Sequence, residues 1–152
     1  MDIREGGLDH PQVIALLREH AEAMVRQSPA DMCHFLDLDG LSGPDILFLT
    51  AWEDDALLGC GALKALGGDA GEIKSMRTAR TAQRKGVARA LLYRIEAIAR
   101  QRGYARLSLE TGSGDAFAPA IGLYRAEGFL EGGPFGGYEA TDFNRYFHKA
   151  LA

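Results

Sequence analysis

Cysteine is scarce in this chain of 152 residues: only Cys33 and Cys60 occur, they form no C-x-x-C pair, and neither has a histidine at metal-ligand spacing. Neither a zinc site nor a disulfide framework is expected, and the pattern fits a reduced, cytoplasmic protein. Long apolar runs are missing too. The longest, Ile46 to Trp52, has seven residues and contains Thr50, far short of the ~20 that span a bilayer. The opening Met1-Asp2-Ile3-Arg4-Glu5 lacks the basic and then apolar pattern of a secretory signal, so no membrane partner is expected. No G-x-x-x-x-G-K-[ST] occurs, which argues against a P-loop nucleotide site, and there is no G-x-S-x-G elbow and no histidine-rich metal motif. No period of 20 to 50 residues repeats and no low-complexity linker breaks the chain. What remains, 47% apolar and 25% charged residues, describes one compact domain over residues 1–152. At this length roughly two thirds of the unfolded chain's surface can be buried, enough for a stable core without staples.

The net charge of −4 conceals a division. Between Lys74 and Arg106 lie ten basic residues and one acid, Glu96, a balance of +9, whereas the rest holds seven basic and twenty acidic residues, a balance of −13. One stretch is built to meet anions. Aromatic residues are sparse within it, only Tyr93 and Tyr104, which argues against nucleic acid as the partner.

Periodicity predicts the elements. Asp2 to Glu5 reads as a short strand, and residues 10–26 as a helix with Val13, Leu16, Leu17, Ala21, Met24 and Val25 on one face and Pro11 in its first turn. Residues 28–45 are irregular, with a short helix expected across Met32 to Leu38. Ile46 to Trp52 and Leu57 to Leu63 form a hairpin through Asp54-Asp55, and Glu72 to Arg77 adds a third antiparallel strand. The clearest helix runs from Arg84 to Arg102, with Val87, Ala88, Leu91, Leu92, Ile95, Ile98 and Ala99 as its apolar stripe, Glu96 mainly off it, and Gly103 closing it. Leu107 to Thr111 reads as a strand, Pro119 to Glu127 as a helix ended by Gly128, Phe129-Leu130 as the start of a strand, and Asn144 to Leu151 as a closing strand. The order β-α-β-β-β-α-β-α-β-β implies an α/β fold with a mixed sheet flanked by helices.

The turn into the long helix reads Gln83-Arg84-Lys85-Gly86-Val87-Ala88. A helix start leaves backbone N–H groups unpartnered and its dipole favours negative charge, so phosphate suits it. Gly86 removes a Cβ where an anion approaches the backbone, Ala88 keeps the next turn slim, and Arg84, Lys85 and Arg89 supply charged donors. The competing reading is an ordinary amphipathic helix with a solvated basic face. Gly59-Cys60-Gly61 opens like a dinucleotide fingerprint but lacks the third glycine and the helix that must follow, and so reads as strand glycine.

The segment Gln83-x-x-Gly86-x-Ala88 resembles the [Gln/Arg]-x-x-Gly-x-[Gly/Ala] signature of the GNAT superfamily of CoA-dependent N-acyltransferases, and Ala120 to Phe129 resembles that family's A-x-x-L-Y-x-x-x-G-F helix. The resemblance covers residues from about 46 to 130. It implies a central, mostly antiparallel twisted sheet of 6–7 strands flanked by about 4 helices, in a small single-domain acyltransferase of bacterial type. It also implies that the backbone of Met76, Arg77 and Thr78 bonds the pantetheine arm of acetyl-CoA, that Gln83, Arg84, Lys85, Gly86, Val87, Ala88 and Arg89 hold the pyrophosphate, and that Phe117 and Tyr124 border the cofactor. Three positions depart from the family pattern. Arg80 replaces a frequent proline, Gln83-Arg84 replaces an arginine-glycine pair, and Phe117 stands where an asparagine would bond the cofactor.

The reaction makes definite demands. With a pKa near ~10.4, about one alkylamine molecule in 2,500 is nucleophilic at pH 7, so a general base helps. Glu72 lies fourteen positions before Gly86, where some family members place a glutamate base; its other reading is a strand-end carboxylate paired with Lys74 or Arg77. Glu110 and His34 are the reserve bases. Tyr124 matches the family's general-acid tyrosine, and the Met76 or Arg77 N–H is placed to hold the oxyanion. The expected activity is direct acetyl transfer to a primary amine of a small molecule, a peptide N-terminus or a lysine side chain. The alternative is a non-catalytic CoA-binding sensor or regulatory module. Acidic loop residues Asp31, Asp37, Asp39 and Asp45 suit a cationic acceptor, and the run Gly132 to Tyr138 is expected to overhang its pocket. No metal is expected, and a homodimer is compatible with family habit.

Overall fold

The structure, a computed structural model, describes residues 1–29, 32, 34 and 36–151. Chain order is β1 (Asp2–Glu5), α1 (Pro11–Gln27), α2 (Leu38–Leu41), β2 (Ile46–Glu53), β3 (Ala56–Gly67), β4 (Ala70–Thr78), α3 (Val87–Gln101), β5 (Arg106–Thr111), α4 (Ala118–Ala126), β6 (Leu130–Gly132) and β7 (Arg145–Ala150). The seven strands form one sheet in the order β1-β2-β3-β4-β5-β7-β6, with only β4 and β5 parallel. The expected α/β fold with a mostly antiparallel mixed sheet is what the chain adopts.

Two apolar layers cover the sheet. On one face α3 and α4 bury Leu91, Leu92, Ile95, Ile121 and Tyr124 against Leu63, Ile73, Leu107, Leu109 and Phe147. On the other, α1 sets Val13, Leu16 and Leu17 over Phe48, Trp52, Cys60 and Ala62. Pro11 opens α1, and the His10 imidazole caps it by accepting from the Gln12 N–H at 3.1 Å.

The boundaries that differ from expectation have local causes. The long helix begins at Val87, not Arg84, because Arg84 (φ 66°) and Gly86 (φ 79°) are left-handed and cannot continue a helix. The short helix of the irregular segment is a single turn starting at Leu38, where Asp37 caps it by accepting from the Gly40 N–H at 2.9 Å; Cys33 and Phe35 of the expected stretch, and Asp31 before it, lie outside the described residues. Glu96, expected mainly off the apolar stripe, is buried because Lys149 of β7 reaches it at 3.0 Å and Arg100 at 3.7 Å.

Gly59 and Gly61 are strand glycines, as their context implied. A Cβ on Gly59 would stand 2.8 Å from the Arg77 carbonyl and 2.9 Å from Val87 Cγ1. Its absence lets the start of α3 lie directly on β3. Gly59→Ala is therefore expected to cost about 1–3 kcal/mol, seen as a lower urea midpoint; an unchanged midpoint would mean that α3 yields freely there.

The feature that creates a site is where β4 and β5 part. Their pairing runs from Ala70↔Arg106 to Ile73↔Leu109 and stops, although β4 continues to Thr78 and β5 to Thr111. Beyond Ile73 the edge of β4 facing away from β3 has no strand partner, and a cleft opens through the sheet.

Candidate active site

The cleft is lined from β4 by Glu72 to Met76, from β5 by Leu109 to Thr111, from α1 by His20 and Met24, from the following loop by His34, and from the α4 region by Phe117, Ala120 and Tyr124. It encloses about 120 Å³, room for an acyl group and the head of an acceptor, not for a drug-sized ligand, whose pockets run to roughly 300–1,000 Å³.

At one end stands the turn into α3. Gln83, Arg84, Lys85 and Gly86 are exposed. No side chain caps α3, and the Ala90 N–H to the Gly86 carbonyl at 3.0 Å is the bond that closes its first turn. The N–H groups of Val87, Ala88 and Arg89 precede it and have no helical partner. Left-handed Arg84 and Gly86 lead into the uncapped first turn of α3, a helix start whose free amides suit an anion. A Cβ on Gly86 would meet no protein atom within 4 Å, and its φ of 79° is one that glycine adopts without strain.

The charge division of the sequence closes in space. Lys74 pairs with Glu72 at 3.2 Å, Arg77 and Arg80 with Glu19 at 3.4 and 2.9 Å, and Arg89 with Glu127 at 2.9 Å. Arg77 and Arg80 hold the Glu19 carboxyl below its ordinary range, Arg80 most strongly. Arg89, expected to offer its guanidinium to a ligand, meets Glu127 through its Nε on a half-exposed side chain, and its amide lies in the first turn of α3. Arg84 and Lys85 make no ion pair among the described residues, and both sit at the helix start.

Met76, Arg77 and Thr78 occupy the half of β4 beyond the split. Arg77 and Thr78 lie opposite Cys60 and Gly59, and Met76 falls in a bulge between registered pairs. Phe117, buried, precedes α4 and packs edge-on against Phe143 at 5.7 Å; it has no polar atom to give where the family carries asparagine. Tyr124 is 6% exposed, with its ring against Phe129 at 5.7 Å, and burial raises its phenol pKa. No hydrogen bond engages its hydroxyl among the described residues, and the residue borders the cleft.

Glu72 is 2% exposed. Its Oε2 accepts from Lys74 Nζ at 3.2 Å and from the Tyr138 hydroxyl at 2.9 Å, and Lys74 also donates to that hydroxyl at 2.8 Å. Glu110 faces the same cleft. His34 Nδ1 lies 2.7 Å from its Oε2 and 2.9 Å from Oε1, and Asn144 Nδ2 donates to Oε2 at 3.2 Å. Burial raises the Glu110 pKa above the usual 4.5, more than His34, Tyr146 and Lys74 lower it. The His34 ring stacks on Tyr138 at 4.9 Å, so Glu72, Lys74, Tyr138, His34 and Glu110 form one connected group.

Tyr138, Asn144 and His20 were not singled out by motif. The glycine-rich run ahead of Tyr138 was the available signal, since Gly136 and Gly137 take φ of 59° and 86° to bring its side chain back over the sheet. His20 follows Leu16 and Leu17 at helical spacing and looks like a core position. Burial, with the neighbouring Arg77 charge, lowers its pKa from 6.5 to about 4. A depressed pKa means that stability tied to the neutral ring is present above pH 6.5 and lost as pH falls through about 4. That difference is worth about 3 kcal/mol. Urea unfolding compared at about pH 7 and about pH 4 is expected to lose less stability in His20→Gln than in the parent; equal losses would remove His20 as the titrating group.

Comparison with known proteins decides the family. A family model described as "Acetyltransferase (GNAT) family" matches residues 12–129. The chain belongs to the GNAT acetyltransferase family. The uncharacterized N-acetyltransferase YsnE of Bacillus subtilis is 49% identical over 151 residues, covering 99% of this chain and 100% of that protein. An IAA acetyltransferase of Azospirillum brasilense is 39% identical over 140 residues, covering 91% and 90%. Among solved structures, the PaiA N-acetyltransferase of Thermoplasma acidophilum, in complex with coenzyme A, shares the fold with a TM-score of 0.73 at 17% identity, covering 98% of each chain. The chain is thus a GNAT acetyltransferase, and its family uses acetyl-CoA with an acceptor. No helix of the described residues is long and apolar enough to cross a membrane.

Proposed function

We propose that this acetyltransferase passes the acetyl group of acetyl-CoA directly to a primary amine, with Glu110 as general base and Tyr124 as general acid. The observation that carries the reading is the split of β4 from β5, which places a carboxylate of raised pKa and an unengaged phenol on one cleft. Acetyl-CoA supplies an activated thioester. The residues present fit it: left-handed Arg84 and Gly86 and the uncapped amides of Val87, Ala88 and Arg89 suit the pyrophosphate, with Gln83, Arg84 and Lys85 around them. The unpaired edge of β4 at Met76, Arg77 and Thr78 suits the amides of the pantetheine arm.

Glu110 fits the base better than Glu72. A base works best when its pKa lies near the working pH, and burial moves Glu110 in that direction. The Glu72 carboxylate is held by the Lys74 ammonium and the Tyr138 hydroxyl, which makes it a positioning residue for the loop over the acceptor. The His34 side chain is 34% exposed and links Glu110 to solvent. Incubating acetyl-CoA with a broad panel of amines and following free thiol tests the reading. Thiol release with at least one amine is expected. Tight acetyl-CoA binding by calorimetry without turnover on any amine would replace it with the sensor reading.

A further inference from the structure

One buried amide ties the carboxylate in the cleft to the loop that follows α1. Asn144, 7% exposed, stands just before β7. Its Nδ2 donates to the Met32 carbonyl at 3.0 Å and to Glu110 Oε2 at 3.2 Å, and its Oδ1 accepts from the Thr141 hydroxyl at 2.7 Å. Thr141 Oγ1 in turn accepts the N–H groups of Phe143 and Asn144 at 3.2 and 2.8 Å, which leaves its own proton for that bond. Met32 lies 112 positions from Asn144 and Glu110 lies 34 away, so the amide joins segments that only folding brings together. Each of its atoms faces its complement, because a carbonyl and a carboxylate accept and the hydroxyl gives.

That arrangement asks for a short side chain with two donors and one acceptor. Aspartate would set a second carboxylate against Glu110, serine or threonine would bring one proton for two acceptors, and an apolar side chain would leave buried polar partners unmet. Two effects meet at the base. The bond to Oε2 holds the Glu110 carboxylate, and the bond to Met32 holds the backbone two residues before His34, whose Nδ1 lies 2.7 Å from the same oxygen. We propose that Asn144 is a positioning residue for acetyl transfer, fixing the Glu110 carboxylate and the segment that bears His34 against each other at the cleft. The proposal rests on the reading of Glu110 as the base. Other groups bear on the charge of that carboxylate. His34, Tyr146 of β7 and Lys74 of β4 favour its charged form, although Tyr146 gives its hydroxyl proton to the Glu139 carbonyl at 2.7 Å. Glu72 of β4 lines the same cleft with its own charge met by Lys74 and its Oε2 by the Tyr138 hydroxyl.

The test compares Asn144→Ala and Asn144→Ser with the parent, using acetyl-CoA and the amine of the panel that releases thiol fastest. A hydrogen bond given to a carboxylate favours its charged form, so losing the bond raises the pKa. The acidic limb of kcat is therefore expected to move to higher pH by about one unit in Asn144→Ala, with kcat above the limb lower by about tenfold. Asn144→Ser keeps a side chain suited to the turn and should move the limb in the same direction, so the outcome does not hang on the folding of the alanine variant. A merely structural loss would lower kcat at every pH alike. In the Glu110→Gln background, adding Asn144→Ala is expected to cost no more than about twofold, since a residue that acts through Glu110 has nothing left to act on. A limb that stays in place in both variants, or the full tenfold loss repeated in the Glu110→Gln background, would overturn the proposal. A second readout needs no acceptor. The carboxyl titration of Glu110, followed by 13C NMR in the coenzyme A-bound protein labelled on its glutamate carboxyls, should also move up by about one unit in Asn144→Ala, and an unmoved titration would overturn the positioning role. If Glu110→Gln keeps full turnover, or no amine is acetylated, the base reading fails and this titration alone decides whether Asn144 holds the carboxylate.

Discussion

Replacing Glu110 with glutamine is expected to lower kcat for acetyl transfer by about 10²–10⁴, the usual worth of a positioned base. Glutamine keeps the size of the side chain and can still accept from Asn144, so the lost function is proton removal from the ammonium. The pH profile gives the sharper result. Burial disfavours the carboxylate and raises its pKa; activity therefore falls as pH drops through a value above 4.5, earlier than an ordinary glutamate would impose. That acidic limb is expected to vanish in Glu110→Gln and to persist in Glu72→Gln, in which the loop contact through Tyr138 is what weakens. The reverse outcome, a limb lost only in Glu72→Gln, would return the base to Glu72.

Tyr124→Phe is expected to lower kcat by about 10², the lower end of the range for general acids. The lower end applies because a thiolate is a fair leaving group: a thiol with a pKa near ~8.5 needs less help from a proton than an alkoxide does. Burial raises the phenol pKa, so the donor stays protonated through the alkaline range, and kcat of the parent should show no alkaline loss from this residue. Phenylalanine keeps the ring's packing on Phe129, and the hydroxyl it removes has no protein partner to orphan. The urea midpoint should therefore hold or rise while turnover falls. Unaltered turnover would reject the acid role.

Much of the turn into α3 was legible in the sequence because its information is local. Gly86 and the residues around it define a helix start through backbone handedness and end effects that act within one turn. The helix stripe of Val87, Leu91, Leu92, Ile95 and Ala99 repeats at helical period, and all five are buried. The cleft was less legible because its contacts are distant in sequence. Tyr138 meets Glu72 across 66 positions and His34 meets Glu110 across 76, and no motif spans such gaps. The His20 side chain resembles a core residue by period alone; only the packing of α1 on β4 shows an imidazole nitrogen without a partner.

Charge was the feature most altered by folding. The +9 stretch reads as one anion-binding face, yet Lys74, Arg77, Arg80, Arg89 and Arg100 all meet carboxylates in the folded chain. Side chains far apart along the chain become neighbours on packed elements, and opposite charges placed within a few ångströms neutralise each other before any ligand arrives. By itself the sequence determined the order of elements, the family and the helix start that suits phosphate, since period, turn chemistry and end effects are properties of short segments. Only the tertiary structure decided which cations among the described residues remain unpaired at that start, and that Glu72 meets Lys74 and Tyr138 while Glu110 meets His34 and Asn144. It also decided where β4 and β5 part to make a cleft, because each of these depends on which distant residues the sheet brings face to face.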